Sequence, residues 1–178
     1  MATSLDICKQ ALAEIGTRST ITALNDGSSE ANYCTLLYAP LRDFLLREGD
    51  YDFAMKNSFP VAGPAAPTPW SFLYTYPSDA IRIRQLIPLT YIALDPQPIE
   101  WNIYTLSSIR YIATRTAIGE LLYTYAPIED LFDAIFREAL VRLLGSALAF
   151  ALENRIEASD KELREAMSFA GIANLRDS

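Results

Sequence analysis

The stretch Trp70-Ser-Phe-Leu-Tyr-Thr-Tyr76, followed by Ala80-Ile-Arg-Ile-Arg84, decides how this chain is read. Trp70, Phe72, Tyr74 and Tyr76 occupy alternate positions, and Ile81 and Ile83 alternate with Arg82 and Arg84. A period of two belongs to strands, in which successive side chains point to opposite faces. The pattern continues downstream, where Ile99, Trp101 and Ile103 alternate with Glu100 and Asn102. Ile109, Tyr111 and Ala113 form a further set, and Leu121–Tyr125 another. Turn residues punctuate these runs at Pro77-Ser-Asp79, Asp95-Pro-Gln-Pro98 and Ile118-Gly119. Residues about 52–126 are therefore expected to form an antiparallel sheet of four or five strands with one wet face. Interfaces between subunits favour arginine and aromatic anchors. Arg82, Arg84, Tyr74, Tyr76 and Trp101 are accordingly the candidates for subunit contact.

On both sides of this region the period lengthens to that of a helix. Thr3-x-x-Asp6 has the form of a capping box, with Leu5, Ile7, Cys8, Leu12 and Ile15 following before Gly16. A helix over about 3–16 is expected. The polar turn Asn25–Ser28 leads to a second helix over about 29–48, with apolar positions Tyr33, Leu36, Leu37, Leu41, Phe44 and Leu45. Pro40 should kink or split it, because proline removes a hydrogen bond and clashes with the preceding turn. A third helix is expected over about 128–153, with Glu129 and Asp130 at its start, where negative charge suits the helix dipole. Its later part is apolar almost all round and rich in small residues, as befits the centre of a bundle. Ser159-x-x-Glu162 then caps a last helix over about 160–175. The expected fold is α+β, a helical bundle with an antiparallel sheet inserted into it, forming one domain over 1–178.

Composition narrows the chemistry. The 178 residues contain no histidine and two cysteines, and the formal net charge is −7. Without histidine there is no Ser-His-Asp or Cys-His site and no imidazole metal ligand. The acidic balance opposes a phosphate-binding surface, which needs clustered lysine and arginine. Cys8 and Cys34, in segments that read as helix and without CxxC spacing, suggest reduced core thiols and folding inside a cell. The opening MATSLDICKQ lacks the basic start and apolar run of a signal peptide. The apolar run Ala139–Leu152 contains Arg142 and is shorter than the roughly 20 residues of a membrane span. A soluble protein without a membrane partner is expected.

Glu129, Asp130 and Asp133 make the densest acidic group, and paired carboxylates can serve a glycosidase. A helix start explains them as well, so no catalytic, metal-binding or cofactor-binding residue is assigned. In the last helix Leu163, Ala166, Met167, Ala170 and Ala173 make one apolar face. Phe169, Ile172 and Leu175 project elsewhere, as in a helix that docks into a partner's groove.

The motifs together resemble the phage head-to-tail adaptor family, which includes tail tubular protein A and the head-completion adaptors of short-tailed phages. The resemblance lies in Ala13-Glu-Ile-Gly16 and in Leu41-Arg-Asp-Phe-Leu-Leu-Arg-Glu-Gly-Asp-Tyr-Asp-Phe-Ala54. It continues in Trp70–Ile83, in Leu122-Tyr-Thr-Tyr125 and in Leu131-Phe-Asp-Ala-Ile-Phe-Arg-Glu-Ala-Leu140. What the resemblance implies is a structural virion protein at the head-tail junction, a homo-oligomeric ring, commonly of twelve copies, beneath the portal. Such a ring continues the channel through which DNA passes without sequence-specific binding, and it carries the tail tube or nozzle protein. Phe169, Ile172 and Leu175 would then face the portal protein. The other implied reading is a virion-associated cell-wall hydrolase or carbohydrate-binding protein, for which no residue can be carried over.

Overall fold

The computed structural model describes residues 3–17, 20–89 and 99–153. It contains α1 (Ser4–Glu14), α2 (Ser29–Glu48) and α3 (Ala134–Glu153), with 3₁₀ turns at Asp52–Ala54 and Glu129–Leu131. The strands are β1 (Met55–Ser58), β2 (Phe72–Thr75), β3 (Ala80–Pro88), β4 (Trp101–Leu106), β5 (Ile109–Thr114) and β6 (Ile118–Tyr125). They divide into two compact units: the described residues up to Ala54 with those from Ala126 onward, and residues 55–125. The last helix expected over 160–175 lies outside the described residues, as do Phe169, Ile172 and Leu175.

The helical unit starts as its capping chemistry dictates. The Asp6 amide donates to Thr3 Oγ1 at 3.2 Å and the Thr3 amide to Asp6 Oδ2 at 3.0 Å, closing the capping box of α1. Gly16, at φ +74°, supplies the left-handed residue that ends the helical path. Ser28 caps α2 through its hydroxyl, which accepts from the Ala31 amide at 3.2 Å. Pro40 does not split α2, which runs unbroken from Ser29 to Glu48.

Helix α3 begins later than the sequence suggests. Glu129 and Asp130 belong to a separate 3₁₀ turn, and Asp133 is the residue that caps the helix. Its Oδ1 accepts from the Phe136 amide at 2.6 Å. Ile7, Cys8, Ala11 and Leu12 of α1 and Cys34, Tyr38, Leu45 and Leu46 of α2 are buried, as are Phe136, Leu140, Leu144 and Leu148 of α3. At Gly145 a Cβ would lie 3.4 Å from the Ala11 carbonyl oxygen, an ordinary contact distance, which places α1 directly beside α3 at this point.

Helix α2 corrects the reading of its own period. Of the apolar positions that mark the period, Tyr33, Leu36 and Phe44 are exposed, Leu37 and Leu41 are half-buried, and Leu45 alone is buried. The buried face is made by Ala31, Cys34, Tyr38, Leu45 and Leu46. Ala31, Cys34 and Tyr38 thus face the core together with Leu45 and Leu46, while Tyr33, Leu36 and Phe44 point to solvent.

The strand unit overturns the expectation of one inserted sheet of four or five strands within a helical bundle. Six strands form two separate three-stranded antiparallel sheets, in the orders β1–β6–β3 and β2–β5–β4. The reason is the amount of apolar surface. Tyr74, Tyr76, Ile83, Leu86, Ile112, Ile118, Leu121 and Tyr123, drawn from both sheets, are buried in one cluster. A single sheet with one wet face could not hide these side chains, whereas two sheets can pack inner face to inner face. Register shifts in the β3–β6 pairing mark bulges, which add local twist. Strand β1, with Lys56 and Asn57 exposed, carries no apolar alternation and so left no signal in the sequence. The alternation expected for Ile109, Tyr111 and Ala113 also fails: Ile109 is exposed, whereas Ile112 and Ala113 are both buried.

Candidate functional site

The acidic group is held in structural bonds. Tyr38 Oη donates to Glu129 Oε1 at 3.0 Å, joining α2 to the 3₁₀ turn, and Asp133 caps α3. Burial, and after it the Glu129 carboxylate, pushes the Tyr38 phenol well above the usual tyrosine range. Among the described residues, no three His, Cys, Asp or Glu side chains come together as metal ligands.

The arginine–aromatic mixture of the strands is likewise used within its own unit. The Arg110 guanidinium lies 4.4 Å from the centre of the Tyr76 ring, and Arg115 lies 5.9 Å from that of Trp70. Lys56 Nζ donates to Asp79 Oδ2 at 2.6 Å and sits over the rings of Tyr123 and Tyr125, at 5.8 and 5.5 Å. Tyr123 Oη donates to Asp79 Oδ1 at 3.0 Å. The Lys56 ammonium, with help from that phenol, holds the Asp79 carboxyl below its ordinary pKa.

The residues expected to mediate subunit contact are scattered by the fold. Tyr74 and Tyr76 are buried in the cluster between the sheets, where their rings offer little surface to another chain. Trp101 is half-buried against the same cluster. Arg84 is half-buried, with Nε donating to Thr124 Oγ1 at 2.7 Å, and Arg82 is exposed. Arg110, Arg115 and Lys56, which the sequence reading passed over, are the cations that meet the rings.

Large apolar side chains are exposed at several places, Phe59, Val61, Leu89, Ile128 and Phe150 among them, and two groups lie on regular elements, each within its own unit. One is α2. At 3.6 residues per turn, Tyr33, Leu36, Leu37, Pro40 and Phe44 fall within an arc of roughly 100°. That arc lies opposite the buried Cys34, Tyr38 and Leu45. Leu36 is 66% exposed, Phe44 41% and Tyr33 37%. The helix therefore has two apolar faces, of which the unit's core covers one.

The other is the β4–β5 hairpin. Strand β2 pairs with β5 over Tyr111–Thr114, and just past β2 the Tyr76 amide donates to the Arg110 carbonyl at 3.2 Å, so beyond Arg110 the hairpin tip is a two-stranded ribbon of β4 and β5. Leu106 and Ile109 face each other across it on one side, with Ile103 on the other, and all three are exposed. The turn between them is Ser107-Ser108, with both residues at positive φ. No Asn-Gly or Asp-Gly marks it, which is why the sequence gives no hairpin signal there. No protein-family model matches the sequence, and no curated protein matches it.

Proposed function

We propose that this chain is a structural subunit of a ring of the phage head-to-tail adaptor kind, joining the portal to the tail and continuing the DNA channel. The observation that carries the assembly role is the second apolar face of α2. A helix whose own core covers one face, and which keeps Tyr33, Leu36, Pro40 and Phe44 exposed on the other, presents a surface that a protein contact buries. Leu106 and Ile109 at the tip of the β4–β5 ribbon support the same reading. A ring closes through head-to-tail contacts between two different patches of each copy, and this chain carries apolar patches of two kinds, helical and ribbon-like. The adaptor identity rests on the ordered set of motifs from Ala13-Glu-Ile-Gly16 to Leu131–Leu140. In this reading the protein is not an enzyme; its partners are further copies of itself, the portal protein and the tail tube or nozzle protein, and it resides in the virion.

The test is co-purification with the portal protein encoded in the same genome, followed by electron microscopy of the product. A stacked ring is expected, and Leu36→Asp with Phe44→Asp should abolish it while leaving the circular dichroism of the isolated chain unchanged. Failure of the wild-type chain to bind the portal overturns the adaptor reading. Normal rings from the doubly substituted chain overturn the role of α2.

A further inference from the structure

The strands at the sheet edges differ in how those edges are protected. An unpaired edge offers a row of amides and carbonyls to any extended chain, and proteins blunt it with charge, proline, bulges or a covering segment. The outer edge of β2 is covered: the Thr75 amide donates to the Val61 carbonyl at 2.8 Å and the Gly63 amide to the Leu73 carbonyl at 2.7 Å. Strand β3 carries Arg82, Arg84 and Pro88 and is bulged against β6, and the short β1 has Lys56 exposed. Among the described edge strands, β4 alone has none of these devices. From Trp101 to Leu106 it holds no charge and no proline, and its register with β5 is unbroken.

The turn fixes which backbone groups of β4 point outward. Leu106 and Ile109 flank a two-residue turn and so exchange both hydrogen bonds, and such pairs alternate along an antiparallel ladder. Asn102, Tyr104 and Leu106 therefore bond to β5, while the amides and carbonyls of Trp101, Ile103 and Thr105 face away from it. The neighbouring bonds agree with this phase. The Arg110 and Thr114 carbonyls, on residues opposite Thr105 and Trp101, accept from the Tyr76 and Ser71 amides on the β2 side. The Ile103 amide donates to Asn102 Oδ1 at 2.8 Å, the one hydrogen bond on the outer edge of β4 among the described residues.

We propose that β4 is a self-pairing edge, through which two copies of this chain join their three-stranded sheets, antiparallel, into one continuous sheet. Centred on Ile103, the pairing sets Ile103 opposite its own equivalent and Trp101 opposite Thr105 of the other copy. All three residues have their backbone groups on this edge, so each pair can exchange two hydrogen bonds. The side chains fit as well. Ile103, 45% exposed, is covered by an identical isoleucine, and Trp101 meets a β-branched residue, a favoured cross-strand pair. Asn102 stands opposite Tyr104 and Glu100 opposite Leu106, so no like charges oppose each other. A second copy is the partner because the strand is complementary to itself in hydrogen bonding, side-chain pairing and charge. The contact is isologous and closes at two copies, so it goes beyond the head-to-tail contacts of a ring and needs no portal. Its small size places it among weak, reversible interfaces.

The isolated full chain tests this without the portal, so the result is independent of ring formation. Sedimentation velocity over a dilution series should show a monomer–dimer equilibrium in the micromolar range. Hydrogen exchange should slow on dimerisation at the Trp101, Ile103 and Thr105 amides, while Asn102, Tyr104 and Leu106 keep the same protection in both states. Ile103→Lys places two lysines opposite each other and should raise the dissociation midpoint by roughly tenfold or more. Thr105→Pro removes an outward amide and no bond to β5, and should do the same while leaving the circular dichroism unchanged. A chain that stays monomeric at millimolar concentration overturns the proposal. So does a dimer that both variants leave intact, or one in which these three amides exchange no more slowly than in the monomer. A dimer kept by Ile103→Lys but lost in the Leu36→Asp, Phe44→Asp chain would assign the contact to α2 and overturn it likewise.

Discussion

The Tyr74 phenol oxygen accepts the backbone N–H of Ile118 at 3.2 Å in a buried setting, and so ties β2 of one sheet to the first residue of β6 in the other. Tyr74→Phe keeps the ring, and with it the packing in the cluster between the sheets. It leaves the Ile118 amide buried without an acceptor, and an orphaned donor of that kind costs about 1–3 kcal/mol. Urea unfolding should show a loss in that range with an unchanged slope. Hydrogen exchange should be faster at Ile118 while the amides paired between β3 and β6 keep their protection. A loss below about 0.5 kcal/mol would mean that water replaces the phenol.

The Ser107-Ser108 turn is strained. Its φ values of 49° and 65°, between the paired Leu106 and Ile109, are those of a two-residue type I′ turn. Most residues with a Cβ are disfavoured there by about 1–2 kcal/mol, and Asn and Gly much less. Replacing the pair with Asn-Gly should raise stability by about 1 kcal/mol, measured by chemical denaturation. The exposed Ile103, Leu106 and Ile109 would keep their places. Ring formation, tested as above, should therefore persist. A fall in stability would show that the ribbon does not hold this turn in solution.

Asp26 governs the entry to α2 and leaves a signature in pH. Its Oδ1 accepts from the Ser28 hydroxyl at 2.6 Å and the Ser28 amide at 3.0 Å, and its Oδ2 from the Thr22 amide at 2.9 Å. These bonds, with the Ser28 hydroxyl foremost, lower its pKa from 3.8 to about 2. A depressed carboxylate contributes stability that is complete above its unfolded pKa and is lost as pH falls through the folded value. The contribution of Asp26 is thus present at pH 4 and above and fades between about pH 4 and pH 2. Asp26→Asn should lower Tm at neutral pH and show a flatter decline than the wild type across that window. Parallel melting curves for the two proteins would contradict the assignment.

The sequence made the starts of α1 and α2 legible and the sheet arrangement illegible, for physical reasons. Thr3 and Asp6 close a capping box because both partners lie within one turn, and local chemistry of that kind is written in adjacent letters. Which strands share a sheet depends on contacts between residues far apart. Tyr74 and Ile118 meet across both layers, and nothing near either residue announces it. The face of α2 was hidden for a related reason. Tyr33, Leu36 and Phe44 follow the helical period as faithfully as a core does, but they mark the outward side. Period alone identifies an apolar stripe and does not say which neighbour covers it. The strand cations follow the same logic: Arg110 meets Tyr76 only because β5 runs beside the end of β2.

Gly49 closes α2 with φ −94° and ψ 156°, values open to any residue, so its glycine is required by space and not by backbone conformation. A Cβ at this position would fall within the Tyr51 ring, against Cε2 and Cζ. That ring is 1% exposed, and it packs edge-on against Phe136, with centroids 4.9 Å apart. Phe53 and Phe132 complete the aromatic cluster around Phe136. Gly49→Ala must therefore displace Tyr51, and overpacking of this kind costs about 1–3 kcal/mol. A double-mutant cycle separates this clash from other causes. In a Tyr51→Leu background the obstructing ring is gone, and the same Gly49→Ala change should cost nothing. It should even stabilise by about 0.4–1 kcal/mol, because alanine has less freedom to lose on folding than glycine. Denaturation of the four proteins measures the coupling directly, and equal costs of Gly49→Ala in both backgrounds would show that Tyr51 is not what excludes a side chain there.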